Sequence, residues 1–173
     1  MTLSKKTPKE SQVIKTELVL PNDTNTFNNL MGGRLLHLMD ICSAICAQRH
    51  SGSVVVTASV DNVSFSQPIA LGEVVNMKAT VTRAFKSSME VFIEVTAEDA
   101  PGGVLKPSNS AYFTFVAVGD DNKPRPVPEV EPETEEEKAQ HAGALRRRQL
   151  RLVLAGRMKP DEAKELKSIF FDE

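Results

Sequence analysis

The segment from Arg34 to Arg49, RLLHLMDICSAICAQR, constrains the fold of this chain more than any other feature. We predict a helix here, and Asp40 is the one formally charged residue between the two arginines. A helix that is apolar nearly all round is typical of a buried position. The two cysteines of the chain, Cys42 and Cys46, lie four residues apart in this segment. We interpret them as small buried hydrophobic residues rather than as a disulfide.

Five segments around this helix are rich in β-branched and aromatic residues, which favours strands. They are residues 13–20, 53–60, 73–85, 89–98 and 111–118. In the fourth segment, Met89 and Val91 alternate with Glu90 and Glu94, as in an antiparallel strand with one solvated face. We therefore expect an α+β fold in which a curved antiparallel sheet surrounds one buried helix. Because one sheet leaves much of that helix uncovered, we expect a second protomer to complete the core.

Composition limits the classes of function. The chain has 173 residues, of which 40% are hydrophobic, enough for one domain with a core. The formal net charge of −2 argues against a nucleic-acid or membrane-surface binder. No apolar run is long enough to span a bilayer, and the N-terminal residues lack the apolar stretch of a secretory signal. We expect a cytoplasmic protein that does not insert into membranes.

The charged residues are concentrated at the C-terminal end, where residues 119–173 hold 13 acidic and 11 basic side chains. We divide the chain into an N-terminal tail (1–12), one folded domain (13–128) and a charged helical extension (129–173). Thr134 and Glu137 have the spacing of a capping box at a helix start, and Gly156 is a plausible helix end. We interpret the arginines at 146–148 as a packing or solvated face, and the leucines of the extension as facing a partner.

Asp40 is the first candidate for chemistry, because an isolated carboxylate in an apolar interior resists ionisation and suits a general base. The structural alternative is a carboxylate bonded to nearby backbone or to Arg34. Gly32 and Gly33 directly precede the helix, where backbone N–H groups could polarise an oxygen. A tight turn would explain these glycines equally well. The upstream loop at 21–29 is dense in Asn, Asp and Thr and is expected beside the helix start.

A series of motifs resembles the hotdog-fold acyl-CoA thioesterases, in the bacterial branch related to the brain-type acyl-CoA hydrolases. The matching positions are Pro21, Asp23, Asn25, Gly32-Gly33, Met39-Asp40, Val56-Thr57, Phe65, Pro68, Gly72, Ser87-Ser88-Met89 and residues 113–117. The resemblance covers about residues 13–140 in order. It implies a hotdog fold, in which the curved sheet wraps around the central helix, followed here by the C-terminal helical extension.

The resemblance also implies an activity and a site. Members hydrolyse fatty acyl-CoA to a free carboxylic acid and CoA. Asp40 resembles the catalytic carboxylate, which acts as general base or nucleophile. Asn25 matches a second catalytic residue, supplied across a dimer interface, and the backbone N–H of Gly33 would polarise the thioester carbonyl. Further positions that would bind substrate are Gly32, Lys86, Ser87 and Ser88, of which the lysine and two hydroxyls suit CoA phosphates.

The same resemblance implies a homo-oligomer, commonly a trimer of hotdog dimers, with acyl-CoA as its partner and no nucleic acid. No metal and no cofactor are expected, since CoA is part of the substrate and product. The chain departs from the family pattern at Asn28, where a glycine is usual, and at Phe27, where a small or polar residue is common. Asparagine tolerates a left-handed backbone, so we expect the loop to be kept.

Two alternative functions follow from the same fold. A hotdog dehydratase would need a histidine with an acidic partner in the catalytic loop, but the three histidines are at 37, 50 and 141. A non-catalytic acyl-CoA-binding sensor would keep the groove without turnover, and the residues before Val13 are too few for a DNA-binding domain. Both alternatives predict binding of acyl-CoA without hydrolysis.

Overall fold

The computed structural model describes residues 4–169 as one α+β unit. Its strands are β1 (Val13–Leu18), β2 (Val54–Phe65), β3 (Val74–Ala84), β4 (Ser88–Asp99) and β5 (Val104–Val118). Its helices are α1 (Pro8–Ser11), α2 (Gly32–Ser51), α3 (Glu135–Leu154) and α4 (Lys164–Lys167), with short 3-10 turns at Pro21–Asp23 and Pro160–Glu162. All five strands pair antiparallel in one sheet of order β1-β3-β4-β5-β2.

The inner face of the sheet and α2 form the hydrophobic core, which confirms the expected curved sheet around one helix. Fully buried side chains of the sheet include Met77, Val91, Ile93, Phe113 and Phe115. They pack with Leu35, Leu38, Met39, Cys42 and Cys46 of α2. Buried and accessible side chains alternate along β4 as predicted from Val91 onwards. The expectation that Glu90 lies on a solvated face is wrong, because Glu90 is buried beneath α3, where Arg147 binds it.

One face of α2 stays accessible within the single chain. His37, Ile45 and Gln48 are exposed, and Asp40 is half-buried. Between these residues, Ile41 and Ala44 are only half-buried, so the helix is suited to more cover than its own sheet provides.

Strand β2 is an edge of the sheet and pairs with β5 along one side. Its apolar side chains Val54, Val56 and Phe65 are exposed. A long, apolar edge strand exposes backbone donors and acceptors that readily pair with another strand. This edge and the accessible face of α2 therefore expose apolar side chains that a second chain could cover.

Two strands are longer than the sequence pattern indicates. β2 continues to Phe65, past register shifts at Thr57/Ser59 and Asp61/Ser64 that break the alternation of its side chains. β5 begins at Val104, whereas we predicted position 111, because its first half contains Pro107 at a register shift and mostly polar residues. Bulges and a proline therefore hid these strand ends from a reading based on alternation.

Helix α3 packs on the outer face of the sheet, largely through charged groups. The guanidinium of Arg147 donates two hydrogen bonds to Glu90 Oε1, at 2.7 and 3.1 Å, and one to Oε2 at 3.1 Å. Arg151 forms an ion pair with Asp61 at 3.0 Å. The arginine run is therefore a packing face, as predicted.

Helix α3 begins at the predicted capping box and ends close to the predicted stop at Gly156. Thr134 Oγ1 accepts from the N–H of Glu137 at 3.2 Å, and the Glu137 carboxylate accepts from the N–H of Thr134 at 3.1 Å. The helix ends at Leu154, shortly before Gly156, whose φ of 66° is left-handed. Of the leucines expected to face a partner, Leu150 and Leu154 are exposed.

The segment before β1 and the segment after β5 meet at the C-terminal end of α2. Lys6 forms a parallel bridge with Val130, and its ammonium donates to the carbonyls of Arg49 and His50 at 2.8 and 2.9 Å. His50 is fully buried and its Nε2–H donates to the carbonyl of Pro128 at 2.9 Å. These contacts tie both flanking segments to the domain.

Candidate active site

The carboxylate of Asp40 lies on the accessible face of α2 and has a specific partner on the edge strand. Thr57 Oγ1 donates to Asp40 Oδ1 at 2.9 Å. The alternative that Asp40 is bonded to Arg34 is wrong, because the Arg34 guanidinium pairs with Asp23 at 2.8 Å. Asp40 is thus oriented by a neutral donor and keeps its second oxygen for other contacts. Thr57 belongs to a motif that is visible in the sequence, but its pairing with Asp40 was not predicted, because the two residues lie 17 positions apart on different elements.

Asn25 organises the loop that precedes α2. Its Oδ1 accepts from the backbone N–H groups of Phe27 at 2.9 Å and Asn29 at 3.2 Å. Asn28 has a φ of 56°, the left-handed conformation expected for an asparagine replacing glycine. Because Oδ1 is used within the loop, the side-chain NH2 group of Asn25 is the part available to a ligand. No described residue accepts a hydrogen bond from it.

Gly32 and Gly33 form the first turn of α2, where backbone N–H groups have no acceptor within the helix. The ring of Phe65 lies 3.4 Å from the position that a Cβ on Gly32 would occupy, so a side chain there would press on this ring. A Cβ on Gly33 would meet no atom within 4 Å. The N–H of Gly33 is therefore approachable from solvent, and the positive end of the helix dipole favours an oxygen there.

A cavity of about 320 Å³ opens beside this helix start. Its lining includes Asn25 and Gly32 together with the apolar side chains of Leu35, Phe65 and Ile69. The amide side chains of Asn29, Gln67 and Asn109 line it as well, so the cavity combines apolar surface with hydrogen-bonding groups, as small-molecule sites do.

The predicted site residues fall into two separate groups within one chain. Asn25, Gly32 and Gly33 lie at the N-terminal end of α2, whereas Asp40 is about 10 Å further along the helix axis from Gly33 at 1.5 Å per residue. A side chain as short as aspartate does not span that distance. Hence one chain does not place Asp40 and Gly33 around the same reacting carbon.

The turn at 86–88 belongs to the same end of the sheet as Asp40. Ser88 pairs with Val116, which in turn pairs with Val56, the residue before Thr57. Two strand spacings therefore separate Ser88 from Val56, about 10 Å. Lys86 is exposed, and Ser88 is half-buried. Along the strands the turn is therefore level with Thr57 and distant from Asn25 and the glycines, although Ser88 and Asp40 lie on opposite faces of the sheet.

The cysteines and histidines lie outside this arrangement. Cys42 and Cys46 are both free thiols, and burial raises the pKa of Cys46 to about 12, which excludes a reactive thiolate. Burial likewise lowers the pKa of His50, which is occupied in tying down the flanking segments. Between Ser4 and Ile169, no His, Cys, Asp or Glu side chains are grouped to hold a metal ion, and no helix is long and apolar enough to cross a membrane.

Comparison with known proteins gives consistent matches. The model of the thioesterase superfamily matches residues 27–103. The uncharacterised acyl-CoA thioester hydrolase YkhA of Bacillus subtilis is 44% identical over 80% of this chain and 81% of its own length. Acyl-coenzyme A thioesterase 11 of Mus musculus is 43% identical over 86% of this chain, which corresponds to 25% of that longer protein.

Solved structures agree. An acyl-CoA hydrolase from Bacillus cereus is 38% identical with a TM-score of 0.85, covering 96% of this chain and 98% of the other. An acyl-CoA hydrolase from Staphylococcus aureus, solved with butyryl coenzyme A and coenzyme A, is 37% identical with a TM-score of 0.82, covering 88% and 94%. Variants of that enzyme in which an aspartate, a threonine or an asparagine is changed to alanine have also been solved. A further match is a hexameric acyl-CoA thioesterase with a TM-score of 0.86, 37% identical over 88% of this chain and 98% of that one.

The arrangement of one helix in a curved antiparallel sheet, the level of identity and the coverage of whole relatives agree with one another. This chain belongs to the hotdog-fold acyl-CoA thioesterases of the thioesterase superfamily.

Proposed function

We propose that this protein hydrolyses fatty acyl-CoA to a free carboxylic acid and CoA, with Asp40 as the catalytic carboxylate. The observation that carries the proposal is the hydrogen bond from Thr57 to Asp40 on the accessible face of α2. It holds a carboxylate at a surface that a substrate can reach, beside a strand edge that a second chain can complete. The spacing of Asn25, Asp40 and Thr57 is also that of the three residues changed to alanine in the S. aureus enzyme, which supports their role here.

We further propose that two chains pair through β2 and share each site between them. Two copies of an edge strand related by a twofold axis run antiparallel, so the start of one strand lies beside the end of the other. Phe65, which contacts the Gly32 turn, is at the end of β2, and Thr57 is near its start. Such pairing brings Asn25 and Gly33 of one protomer towards Asp40 of its partner. It also covers the exposed apolar edge.

The chemistry of such a site follows from its groups. The N–H of Gly33 donates to the thioester carbonyl oxygen and stabilises negative charge as the oxygen becomes an oxyanion. Asp40 accepts a proton from water, whose oxygen attacks the carbonyl carbon; the carbon–sulfur bond then breaks, and the departing thiolate of CoA takes up that proton. Direct attack by Asp40 on the carbonyl carbon, followed by hydrolysis of the anhydride, uses the same geometry. Thr57 orients the carboxylate in both cases.

Asn25 contributes its side-chain NH2 group, which would hold the water or the thioester. The reaction as proposed uses groups of the chain and water, with CoA entering as part of the substrate. A trimer of such dimers is the assembly we propose, by analogy with the relatives named as hexameric. The cytoplasmic location expected above stays a prediction.

Release of free thiol from a panel of acyl-CoA substrates tests this function. We expect turnover by the wild-type protein and a loss of about a thousandfold or more in Asp40→Asn, which corresponds to about 4 kcal/mol of barrier. His37→Asn, a change on the same exposed helix face, is the matched control and should retain activity. Turnover that survives in Asp40→Asn would remove this carboxylate from the mechanism. Tight binding of acyl-CoA without turnover in the wild type would instead identify a sensor.

A further inference from the structure

Three arginines of α3 face the outer surface of the sheet, but they differ in how their charge is balanced. Arg147 is paired with Glu90 and Arg151 with Asp61. Arg148 instead lies over the ring of Phe85, with its guanidinium carbon 4.2 Å from the ring centroid. Across residues 4–169 no carboxylate forms an ion pair with Arg148. Arg147 and Arg151 thus have the carboxylate partners that Arg148 lacks.

The surroundings of Arg148 are predominantly positive. A second guanidinium, that of Arg83, lies 5.9 Å from the centroid of the same Phe85 ring. Burial, followed by the nearby positive charge of Arg151, lowers the pKa of Arg148. Two acidic groups, Glu165 of α4 and Glu90 of β4, act on Arg83.

Lys86 follows Phe85 directly and is exposed. Two guanidinium groups at one aromatic ring, with an exposed lysine at the next position of the chain, favour an anion, because Arg148 has no carboxylate partner among the described residues.

The serine of the neighbouring turn lies on the same side of the sheet. Side chains two residues apart on a regular strand share a face, so Ser88 points to the face of Glu90. Glu90 is bound by Arg147 of α3, so this is the face that α3 covers. Ser88 and the guanidinium of Arg148 therefore lie on the α3 side of the sheet, where the β3–β4 turn meets α3, and Lys86 is an exposed residue of that turn.

We propose that Arg148 of α3 binds a phosphate group of the CoA nucleotide together with Lys86 and Ser88. The inference rests on the proposed function, and it gives the C-terminal extension a role in substrate binding. The ring of Phe85 supports one flat face of the guanidinium, which leaves its N–H groups free to donate in the plane to two phosphate oxygens. Lys86 adds a point charge. The turn is about 10 Å across the sheet from Val56, beside Thr57, a distance that the extended pantetheine arm of CoA can bridge.

Kinetics of Arg148→Gln on two substrates test the site. With an acyl-CoA, we expect KM to rise about tenfold or more while kcat stays within about twofold, because the lost contact binds ground state and transition state equally. With the matching acyl-pantetheine, which has no nucleotide, the variant should equal the wild type. Arg146→Gln removes the same charge two positions earlier, at an exposed residue, and should leave the kinetics with both substrates unaffected. Arg148→Lys, which keeps the charge, should have a KM between those of the wild type and Arg148→Gln.

Comparison of acyl-CoA with its 3′-dephospho form then identifies the phosphate. A penalty that disappears with the dephospho substrate assigns the 3′-phosphate, and a penalty that persists assigns the diphosphate; both support the site. An equal rise of KM in Arg148→Gln and Arg146→Gln would overturn it, as would an effect that persists with acyl-pantetheine. Because Arg148 packs on Phe85, the melting temperature of each variant is measured, and Arg148→Lys carries the test if Arg148→Gln unfolds.

Calorimetric titration with CoA separates this inference from the proposed function. If the wild type hydrolyses acyl-CoA but Arg148→Gln binds CoA equally well, the phosphate site is wrong and the activity stands. If the wild type binds CoA through Arg148 but has no turnover, the site stands and the activity is wrong. A wild type that neither binds CoA nor releases thiol overturns both.

Discussion

The two long helices of this protein pack on opposite faces of one sheet by different means. On the inner face, α2 buries Met39, Cys42 and Cys46 against apolar side chains. On the outer face, α3 is attached through Arg147, whose guanidinium binds Glu90 and also lies over the ring of Tyr112 at 4.0 Å. The first interface is non-directional and proportional to buried area. The second depends on specific pairs of groups, so it is more easily broken by a single change.

The outer interface contains a buried carboxylate, that of Glu90, which needs hydrogen-bond donors from α3. Its side chain is 2% exposed, and it accepts hydrogen bonds from Thr82 as well as from Arg147. A buried carboxylate is tolerated only when donors replace the water that it loses. If α3 detached, the Glu90 carboxylate would lose the guanidinium that binds it. The pair therefore stabilises the packing of α3 on the sheet.

The largest effect is expected for Arg147→Met, which removes the guanidinium and leaves Glu90 buried without its partner. The free energy of unfolding should fall by about 3–5 kcal/mol. Unfolding in urea, followed for the wild type and the variant, measures this change in the free energy of unfolding. Arg151→Met is the matched control, because its ion pair with Asp61 is more exposed and should contribute about 1 kcal/mol or less.

Adding Glu90→Gln to Arg147→Met should restore part of the stability, since no unpaired charge then remains buried. Equal losses in the two single arginine variants would show that α3 is attached by general charge attraction and not by the buried pair.

The inner interface should respond differently to truncation. Met39→Ala leaves a cavity against the sheet and is expected to cost about 3 kcal/mol. Leu154→Ala, at an exposed position of α3, is the control and should change stability by less than about 0.5 kcal/mol. Denaturation in high salt distinguishes the two faces, because salt weakens the exposed charge contacts of α3 and leaves the packing of Met39 unaffected. A loss in Met39→Ala that can be rescued by a second charge change would contradict this account.

A smaller effect is expected at the polar end of the inner interface, where His50 is buried. Burial holds the pKa of His50 below its ordinary value of about 6.5, so the folded state favours the neutral ring. The unfolded state then binds more protons below that value, and stability is lost as the pH falls from about 6.5 through the lower pKa of the folded state. Unfolding midpoints between pH 7.5 and 5 should decline more steeply for the wild type than for His50→Asn. Equal slopes would exclude His50 as a source of the acid sensitivity.

The inner half of the molecule could be predicted from sequence because its signals are local. The apolar run of α2 and the alternation along β4 each lie within one segment, as does the capping box at Thr134. The isolated charge of Asp40 likewise marked it as a candidate before any contact was known.

The missed features depend on contacts between distant segments. Thr57 became a partner of Asp40 only through the packing of β2 on α2, and the arginines of α3 find carboxylates on other strands. The division of the site between two ends of α2 is a further such feature. The resemblance implied part of it, since it has Asn25 supplied across a dimer interface; that Gly33 lies with Asn25 at the other end of α2 from Asp40 follows from the helix geometry.

The central claim is that each site takes Asp40 from one protomer and Asn25 from its partner, and subunit complementation tests it most directly. Asp40→Asn and Asn25→Ala are each expected to lower kcat, the second by about tenfold or more. When the two variants are co-expressed and the mixed oligomers purified, half of the dimers combine both chains, and each has one site with both residues intact. The account predicts recovery to about a quarter of wild-type activity, as expected for random pairing in a twofold dimer. Activity no higher than the average of the two separate variants would show that the site lies within one chain.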